Sequence, residues 1–332
     1  MMRIVGKSPL LGFAVRKMLG ANYVGPKVAA FGLTFQNPVG LAAGYDKNGL
    51  GWRGLVSLGF GHIEVGTVTT LPQSGGPHPR VFRLVEDEAI INRMGFPNQG
   101  SAFLVKRLQG LRPAGLILGV NIGKHASTPL EEAVGDYLNL FKTFAPLADY
   151  LAINISSPNT HGLRALQARE PLERLLGPLV EARSRFAYYA RRYVPLLVKL
   201  APDLTEGELD DALDVILRTR VDGVIVANTS LQRRGVRSPL SSESGGLSGA
   251  PIGRLNTKFV CEIVRRTNGK LPVVASGGVM TPQDAIEKLD AGAALVQLYT
   301  GLVYNGPGLV GAVLRELSSE KRWVRKAMSE PA

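Results

Sequence analysis

The chain alternates between two textures. Short runs rich in Val, Ile and Leu end in Gly, Asn, Ser or Lys, and each gives way to a longer segment with apolar residues at helical spacing. The runs are 39–44 (VGLAAG), 62–67 (HIEVGT), 116–123 (LILGVNIG), 150–156 (YLAINIS), 196–202 (LLVKLAP), 222–229 (DGVIVANT), 272–278 (PVVASGG) and 295–301 (LVQLYTG). Helices are predicted over 48–58, 100–111, 129–147, 172–193, 205–219, 254–267, 282–291 and 308–317. Thr128-Pro129 and Thr281-Pro282 each place a Thr N-cap before a Pro at the first helical position, and Thr205 with Glu208 reads as a capping box. Eight near-continuous apolar strands, each followed by a helix, predict an α/β protein built as a (β/α)8 TIM barrel. An open doubly wound sheet is the alternative, but its glycine fingerprint is absent from the first turn, AAGYDKNG.

Two segments break the repeat. Residues 70–96 carry an alternating stretch (VFRLV), a polar turn (EDEA) and a second short run (IIN), which predict a β-hairpin inserted after the second strand. Residues 230–253 form a long Gly/Ser-rich loop after the sixth strand. Both fall where strand C-termini point, the catalytic face of a barrel, and loops this long inside a domain are usually functional. Ahead of the repeat, one helix is predicted at about Ser8–Leu19, with Leu10, Leu11, Phe13, Ala14 and Met18 near one face and Arg3, Lys7, Arg16 and Lys17 flanking it. It reads either as an interfacial amphipathic helix or as a terminal helix packed on the domain. The expected organisation is an N-terminal helical extension over 1–29, a barrel over 30–320 and a basic tail over 321–332.

Composition narrows the chemistry. One cysteine, Cys261, excludes a disulfide framework and cysteine-based metal centres, and the four histidines show no ligand spacing, so no metal is expected. No apolar run is long enough to span a bilayer, and no signal-peptide cleavage pattern follows the short stretch Pro9–Val15. The net charge of +12 attracts anions, but the basic residues are scattered and no nucleic-acid motif accompanies them, so no nucleic-acid partner is expected.

Polar residues gather at the ends of the apolar runs. The first run leads to Lys47, the third ends at Asn121, the fourth at Asn154 with Ser156 and Ser157, the sixth at Asn228 and Thr229, and the fifth carries Lys199; the hairpin adds Asn92. Any one of these is an ordinary strand-ending residue, but buried Lys and Asn are costly unless paired, and so many at one rim describe a pocket for a planar, multiply hydrogen-bonding anion. The last two runs end in Ser276-Gly277-Gly278 and Tyr299-Thr300-Gly301, where this fold commonly builds a phosphate site; Gly246 to Gly249 can add to it, and ordinary tight turns are the plainer reading. Asn154 to Thr160 (NISSPNT) is the sharpest motif. With no His/Asp partner and no GxSxG, a Ser there suits proton relay rather than nucleophilic attack.

These stretches resemble dihydroorotate dehydrogenase, and within it the quinone-linked class 2 branch. The resemblance rests on NPVGLAAGYDKNG (37–49), IEVGTVTTLPQSGGPHPRVFRL (63–84), INRMGF (91–96), VNIGK (120–124), INISSPNTHGLRALQ (153–167), VKLAPDL (198–204), ANTSL (227–231), GGLSGAPI (245–252), VASGGV (274–279) and LVQLYTG (295–301). It implies oxidation of (S)-dihydroorotate to orotate in pyrimidine biosynthesis, with FMN as hydride acceptor and a quinone as terminal acceptor. It implies Ser157 as the base, where class 1 members carry Cys. Implied substrate contacts are Lys47, Asn92, Arg93, Met94, Gly95, Phe96, Asn154, Asn159, Asn228 and Thr229. Implied FMN contacts are Ala43, Gly44, Tyr45, Asp46, Lys47, Thr67, Asn121, Asn154, Lys199, Ala227, Gly249, Gly278, Tyr299 and Thr300. Class 2 members carry a two-helix N-terminal lid that meets the membrane and channels quinone. Here the lid looks shortened, and His161 stands where a small residue or Pro is usual. A monomer is expected, in peripheral contact with the cytoplasmic face of the cell membrane, a contact weakened by the short N-terminus, or soluble should the lid be truncated. The rivals are a class 1 or dihydropyrimidine-type flavin barrel, and a flavin-storing or nucleic-acid-binding barrel prompted by the charge.

Overall fold

The structure, a computed structural model, describes residues 2–319; the predicted basic tail at 321–332 lies outside them. All eight predicted runs form strands: β1 (Val39–Leu41), β2 (His62–Val68), β3 (Ile117–Ile122), β4 (Tyr150–Asn154), β5 (Leu196–Leu200), β6 (Gly223–Val226), β7 (Val273–Ser276) and β8 (Leu295–Leu298). They pair in parallel, in chain order, and β8 pairs with β1 to close the barrel. The helices are α1 (Met2–Val5), α2 (Pro9–Met18), α3 (Trp52–Leu55), α4 (Gly100–Leu108), α5 (Ala133–Phe144), α6 (Arg169–Ala190), α7 (Glu206–Arg218), α8 (Gly253–Arg266), α9 (Pro282–Asp290), α10 (Thr300–Asn305) and α11 (Gly308–Ser319).

Closure explains why the strands read as apolar throughout. Successive side chains alternate between the inside of the barrel and the helical layer. Ile63 and Val65, Leu118 and Val120, Leu151 and Ile153, and Leu196 and Val198 join one large cluster with the helices. Residues of opposite parity, Tyr150, Ala152, Leu197, Ile225, Val274 and Leu295, form a second cluster with Phe35. Phe35 comes from an antiparallel hairpin, Val28–Ala30 with Leu33–Phe35, that plugs the amino end of the barrel and that the sequence pattern did not predict. The same inward parity, followed towards the carboxyl ends, reaches Glu64, Asn121, Asn154, Lys199, Ser276 and Gln297. Apart from His62, which packs edge-on against Phe35 and Tyr150, the barrel interior is thus apolar below and polar above.

The inserted hairpin forms as expected, from Val81–Leu84 and Ala89–Asn92. A third strand, Gly246–Gly249, pairs with its inner strand. The Gly/Ser-rich loop after β6 is therefore partly sheet. The boxes at Thr205 with Glu208 and Thr281 with Asp284 both form. Thr128-Pro129 does not start α5, which begins at Ala133 without a side-chain cap. Lys124 Nζ donates to the Thr128 carbonyl (2.5 Å), and Asp136 of α5 reaches back to the His125 amide (2.8 Å), so residues 124–132 are held as a turn. Helix α4 stops at Leu108 rather than near 111, and α6 runs from Arg169 to Ala190 rather than 172–193, ended by left-handed Arg191. Two helices, not one, precede the barrel. Helix α2 packs one side on residues 56–58, where Arg16 donates to the Val56 carbonyl (3.3 Å), while Leu10, Phe13 and Met18 stay exposed. No helix among the described residues is long and apolar enough to cross a membrane.

Asp222, just before β6, knits the helical layer to the barrel. Its carboxylate accepts from Arg183 of α6, from the Leu196 amide (2.8 Å) and from the Tyr193 hydroxyl (2.5 Å), and Arg183 is buried. Removing one partner of a buried pair strands the other charge. Asp222→Ala is expected to lower unfolding free energy by about 3–5 kcal/mol in urea titrations; a loss below about 1 kcal/mol would show the pair to be dispensable.

Candidate functional site

The carboxyl ends of seven of the eight strands, all but β3, line one cavity of about 300 Å³. The turn after β1 is tightened by Asp46, whose carboxylate accepts from the amides of Leu50 and Gly51 (both 2.8 Å). The turn carries Lys47, whose Nζ donates to the Gly44 carbonyl (2.6 Å) and lies 3.6 Å from Met94 Sδ. Burial, aided by repulsion from Arg80, pushes the Lys47 ammonium down to about 8.

The amides form an ordered chain. Glu64, sealed inside β2, accepts from Asn121 Nδ2 (2.8 Å), the Tyr150 hydroxyl (2.9 Å) and Gln297 Nε2 (3.0 Å). Asn121 Oδ1 accepts from Thr67 Oγ1 (2.6 Å) and Asn154 Nδ2 (3.2 Å). Asn154 Oδ1 in turn accepts from Asn228 Nδ2 (3.3 Å) and Ser156 Oγ (3.1 Å). Lys199 is buried beside this chain and donates no hydrogen bond among the described residues. Burial lowers its pKa, and attraction to Glu64 opposes that fall.

Ser157 is buried on the cavity wall, where its Oγ accepts from the Asn159 amide (3.2 Å). Asn159 Nδ2 reaches the Asn92 carbonyl (3.1 Å) and Asn92 Oδ1 (3.3 Å), which ties the β4 loop to the inserted hairpin. Among the described residues, Thr229 Oγ1 is buried with no hydrogen-bond partner. Arg164 clamps the loop from behind, donating to the Ser156 carbonyl (3.0 Å), Asp203 Oδ2 (2.8 Å) and the Thr229 carbonyl (2.9 Å).

At the other end, Gly277 and Gly278 have φ of +125° and +67°, and a Cβ on Gly278 would lie 2.2 Å from Gly253 Cα. Only glycine lets the two backbones meet there. Among the described residues, the amides of Gly277, Gly278 and Val279 donate to no protein acceptor.

Of the site residues that the resemblance implies, Ala43, Gly44, Lys47, Thr67, Asn92, Met94, Gly95, Phe96, Asn154, Ser157, Asn159, Lys199, Ala227, Asn228, Thr229, Gly278, Tyr299 and Thr300 line the cavity. Five do not. Asn121 sits one hydrogen bond behind it, and Asp46 is spent on its own turn. Tyr45 packs edge-on against Tyr299 (5.6 Å between centroids). Arg93 pairs with Glu243 (2.6 Å), and Gly249 abuts the Glu88 carbonyl. Sequence reasoning passed over Glu64, Gln297, Ile252 and Arg83. For Glu64 and Gln297 a signal existed: a polar side chain inside an otherwise apolar run, on inward parity. The others sit on insertions whose course the pattern does not fix. No group of three or more His, Cys, Asp or Glu among the described residues is placed to hold a metal ion.

A closed eight-stranded barrel with its polar cavity at the carboxyl strand ends defines the class, a (β/α)8-barrel enzyme. The family model described as Dihydroorotate dehydrogenase matches residues 26–320. The chain is 51% identical over 289 residues to dihydroorotate dehydrogenase (quinone) of Chromobacterium violaceum, covering 87% of this chain and 84% of that one. It is 46% identical over 307 residues to dihydroorotate dehydrogenase (quinone) of a Synechococcus species, covering 88% and 79%. Among solved structures, DHODH of Eimeria tenella in complex with ferulenol superposes with a TM-score of 0.82 at 39% identity, covering 93% of this chain and 90% of that one. The ligand-free form from the same organism gives 0.85 at 38% identity, covering 98% and 100%. The chain belongs to the dihydroorotate dehydrogenase family, which is flavin-dependent.

Arg164→Ala removes three donors from two carbonyls and a carboxylate. Unmade buried hydrogen bonds cost about 1–3 kcal/mol each. Amide hydrogen exchange in 155–165 and 229–231 is expected to accelerate at least about tenfold, as for a loss of about 1.4 kcal/mol. Unchanged exchange there would mean that the clamp does not hold the loop.

Proposed function

We propose that this chain oxidises (S)-dihydroorotate to orotate in pyrimidine biosynthesis, with FMN accepting the hydride and a quinone reoxidising it. The observation that carries the reading is the meeting of Lys47, Asn92, Asn154, Asn159, Asn228 and Ser157 on one cavity wall, with Lys199 beside them. Orotate and its precursor are anions with amide edges, and asparagines supply both donors and acceptors to such edges. Lys47 pairs with the carboxylate. Asn92, Asn154, Asn159 and Asn228 hold the amide edge, with Met94, Gly95 and Phe96 walling the same end. Ser157 Oγ takes the C5 proton as C6 gives up its hydride, so that one C5–C6 double bond forms as two C–H bonds break.

The residues fit a flavin mononucleotide. Among the described residues the amides of the Gly277–Gly278 turn, Gln297 Oε1 and the Lys199 ammonium have no partner; the turn suits a phosphate, and Gln297 and Lys199 suit a ring with donor and acceptor edges. Ala43, Gly44, Thr67, Ala227, Gly278, Tyr299 and Thr300 complete the wall. When bound, the flavin supplies a two-electron acceptor. Lys199, which lines the cavity, would stabilise negative charge on the bound ring. Val81, Ile90 and Val303 give the cavity an apolar side suited to a quinone. The exposed apolar residues of α2, flanked by Arg16 and Lys17, suit peripheral contact with the cytoplasmic face of a membrane.

Anaerobic mixing with dihydroorotate, then with ubiquinone, fumarate or NAD, tests the reading. Dihydroorotate is expected to bleach the flavin and quinone to restore its colour fastest; a colourless protein, or one that dihydroorotate leaves unchanged, overturns it. Ser157→Ala is expected to slow bleaching by about 10²–10⁴-fold with flavin retained; a loss of only a few-fold would remove Ser157 as the base. The Lys47 ammonium is charged below about 8 and neutral above it. Orotate affinity, read from flavin absorbance, is therefore expected to hold below that pH and to fall as pH rises through it. A flat profile to pH 10 would take Lys47 out of carboxylate binding.

A further inference from the structure

The amino end of α8 carries a charge out of balance with its protein surroundings. Gly253 opens this helix in contact with Gly278. Behind it, Lys288 of α9 donates from Nζ to the Gly253 carbonyl (3.1 Å) and to Thr257 Oγ1 (3.0 Å). Lys288 is 1% exposed. It makes no ion pair among the described residues; Asp284 and Glu287 of its own helix act on it only from beyond contact. A helix amino end carries partial positive charge, so it repels a cation placed beside it. Burial adds to the cost, pushing the ammonium down to about 8. Standard carbonyl geometry puts Nζ within roughly 6 Å of Gly253 Cα.

The first turn of α8 is also fixed laterally. Asn256 Nδ2 donates to the carbonyls of Val226 (2.8 Å) and Ser276 (3.1 Å), so the helix start is held to the ends of β6 and β7. The amides of Gly277 to Val279, the helix end and the Lys288 ammonium therefore share one rigid corner. Their mutual repulsion becomes attraction once an anion sits among them.

We propose that Lys288 is a positioning residue for the flavin phosphate, holding the start of α8 against Gly278 and adding its charge to the glycine cradle from behind. This rests on the flavin mononucleotide reading above. It makes the corner a device for choosing the phosphorylated flavin over riboflavin, and that choice is something a merely structural lysine does not affect.

The test measures dissociation constants of FMN and riboflavin, by quenching of flavin fluorescence, for the full chain freed of its flavin. Lys288→Met is expected to weaken FMN by about tenfold or more, the size of one charge-assisted contact, and riboflavin by less than about twofold. Equal weakening of both, or of neither, overturns the proposal. Should Lys288→Met not fold, Thr257→Val keeps the volume and removes one Nζ acceptor; it is expected to lower the FMN preference by about threefold, and an unchanged preference is equally adverse. A wild-type chain that binds riboflavin as tightly as FMN would bring down the phosphate reading and this proposal with it, a failure visible before any variant is made.

Discussion

Every side-chain hydrogen bond at Glu64 is one that it accepts, and that decides the direction of every amide above it. It is sealed within a closed barrel and surrounded by donors. Asn121 must turn Nδ2 to it, which leaves Asn121 Oδ1 to accept from Thr67 and Asn154. Asn154 must then present Oδ1 to Asn228 and Ser156. An amide side chain has two nearly isosteric orientations, and only its partners select one. A single side chain that accepts three hydrogen bonds at the base therefore settles the donor and acceptor pattern of a cavity wall two residues further up. Such networks in a low-dielectric interior are rigid when every member is satisfied and costly when one is not.

The same interior holds its cations at a cost. Lys199 and Lys288 are buried and Lys47 is half-buried, and none has a carboxylate within ion-pair distance among the described residues. Buried charges in stable proteins are normally paired, so three unpaired ammonium groups around one cavity and its adjoining corner anticipate negative charge from elsewhere. A substrate carboxylate, a reduced ring and a phosphate each answer one of them. The glycine corner follows the same logic, since free amides gathered without an acceptor stabilise nothing until an anion arrives. Binding is thereby coupled to stability: a ligand held only by the folded form raises its stability by mass action.

What could be read from the sequence follows from periodicity. Eight runs with helical segments between them specify closure, because the strands need cover on their outer faces and filling within. The polar strand ends Asn154, Lys199 and Asn228 stand out for the same reason. Glu64 is masked because the run HIEVGT is short and flanked by turns, and only the parity of its neighbours reveals it as inward. The hairpin ending at Phe35 has three-residue strands, too short for alternation to register. The strand Gly246–Gly249 is glycine and serine with one leucine, so it has no strand propensity of its own. The start of α5 fails for a different cause. Thr128 and Pro129 carry the right local signal, but Lys124 and Asp136 bind the turn into another shape, and tertiary contacts override the cap.

The roof of the cavity shows how two unrelated insertions become one element. A two-stranded hairpin is marginal by itself, and a Gly/Ser-rich loop has no reason to order. Each lends the other what it lacks. The inner hairpin strand pairs with Gly246–Gly249, Arg93 meets Glu243, and Asp87 accepts from the amides of Arg237 (3.0 Å) and Ser238 (3.0 Å). These amides hold the Asp87 carboxyl below its usual range, against the burial that would raise it. Asn92 lies at the end of the shared strand and is fixed only when both insertions are in place. Asn159 then closes on it from the β4 loop. The floor of the cavity is set by barrel closure and does not depend on the insertions. The roof depends on their agreement, so ordering of the roof and completion of the polar wall at Asn92 are a single event.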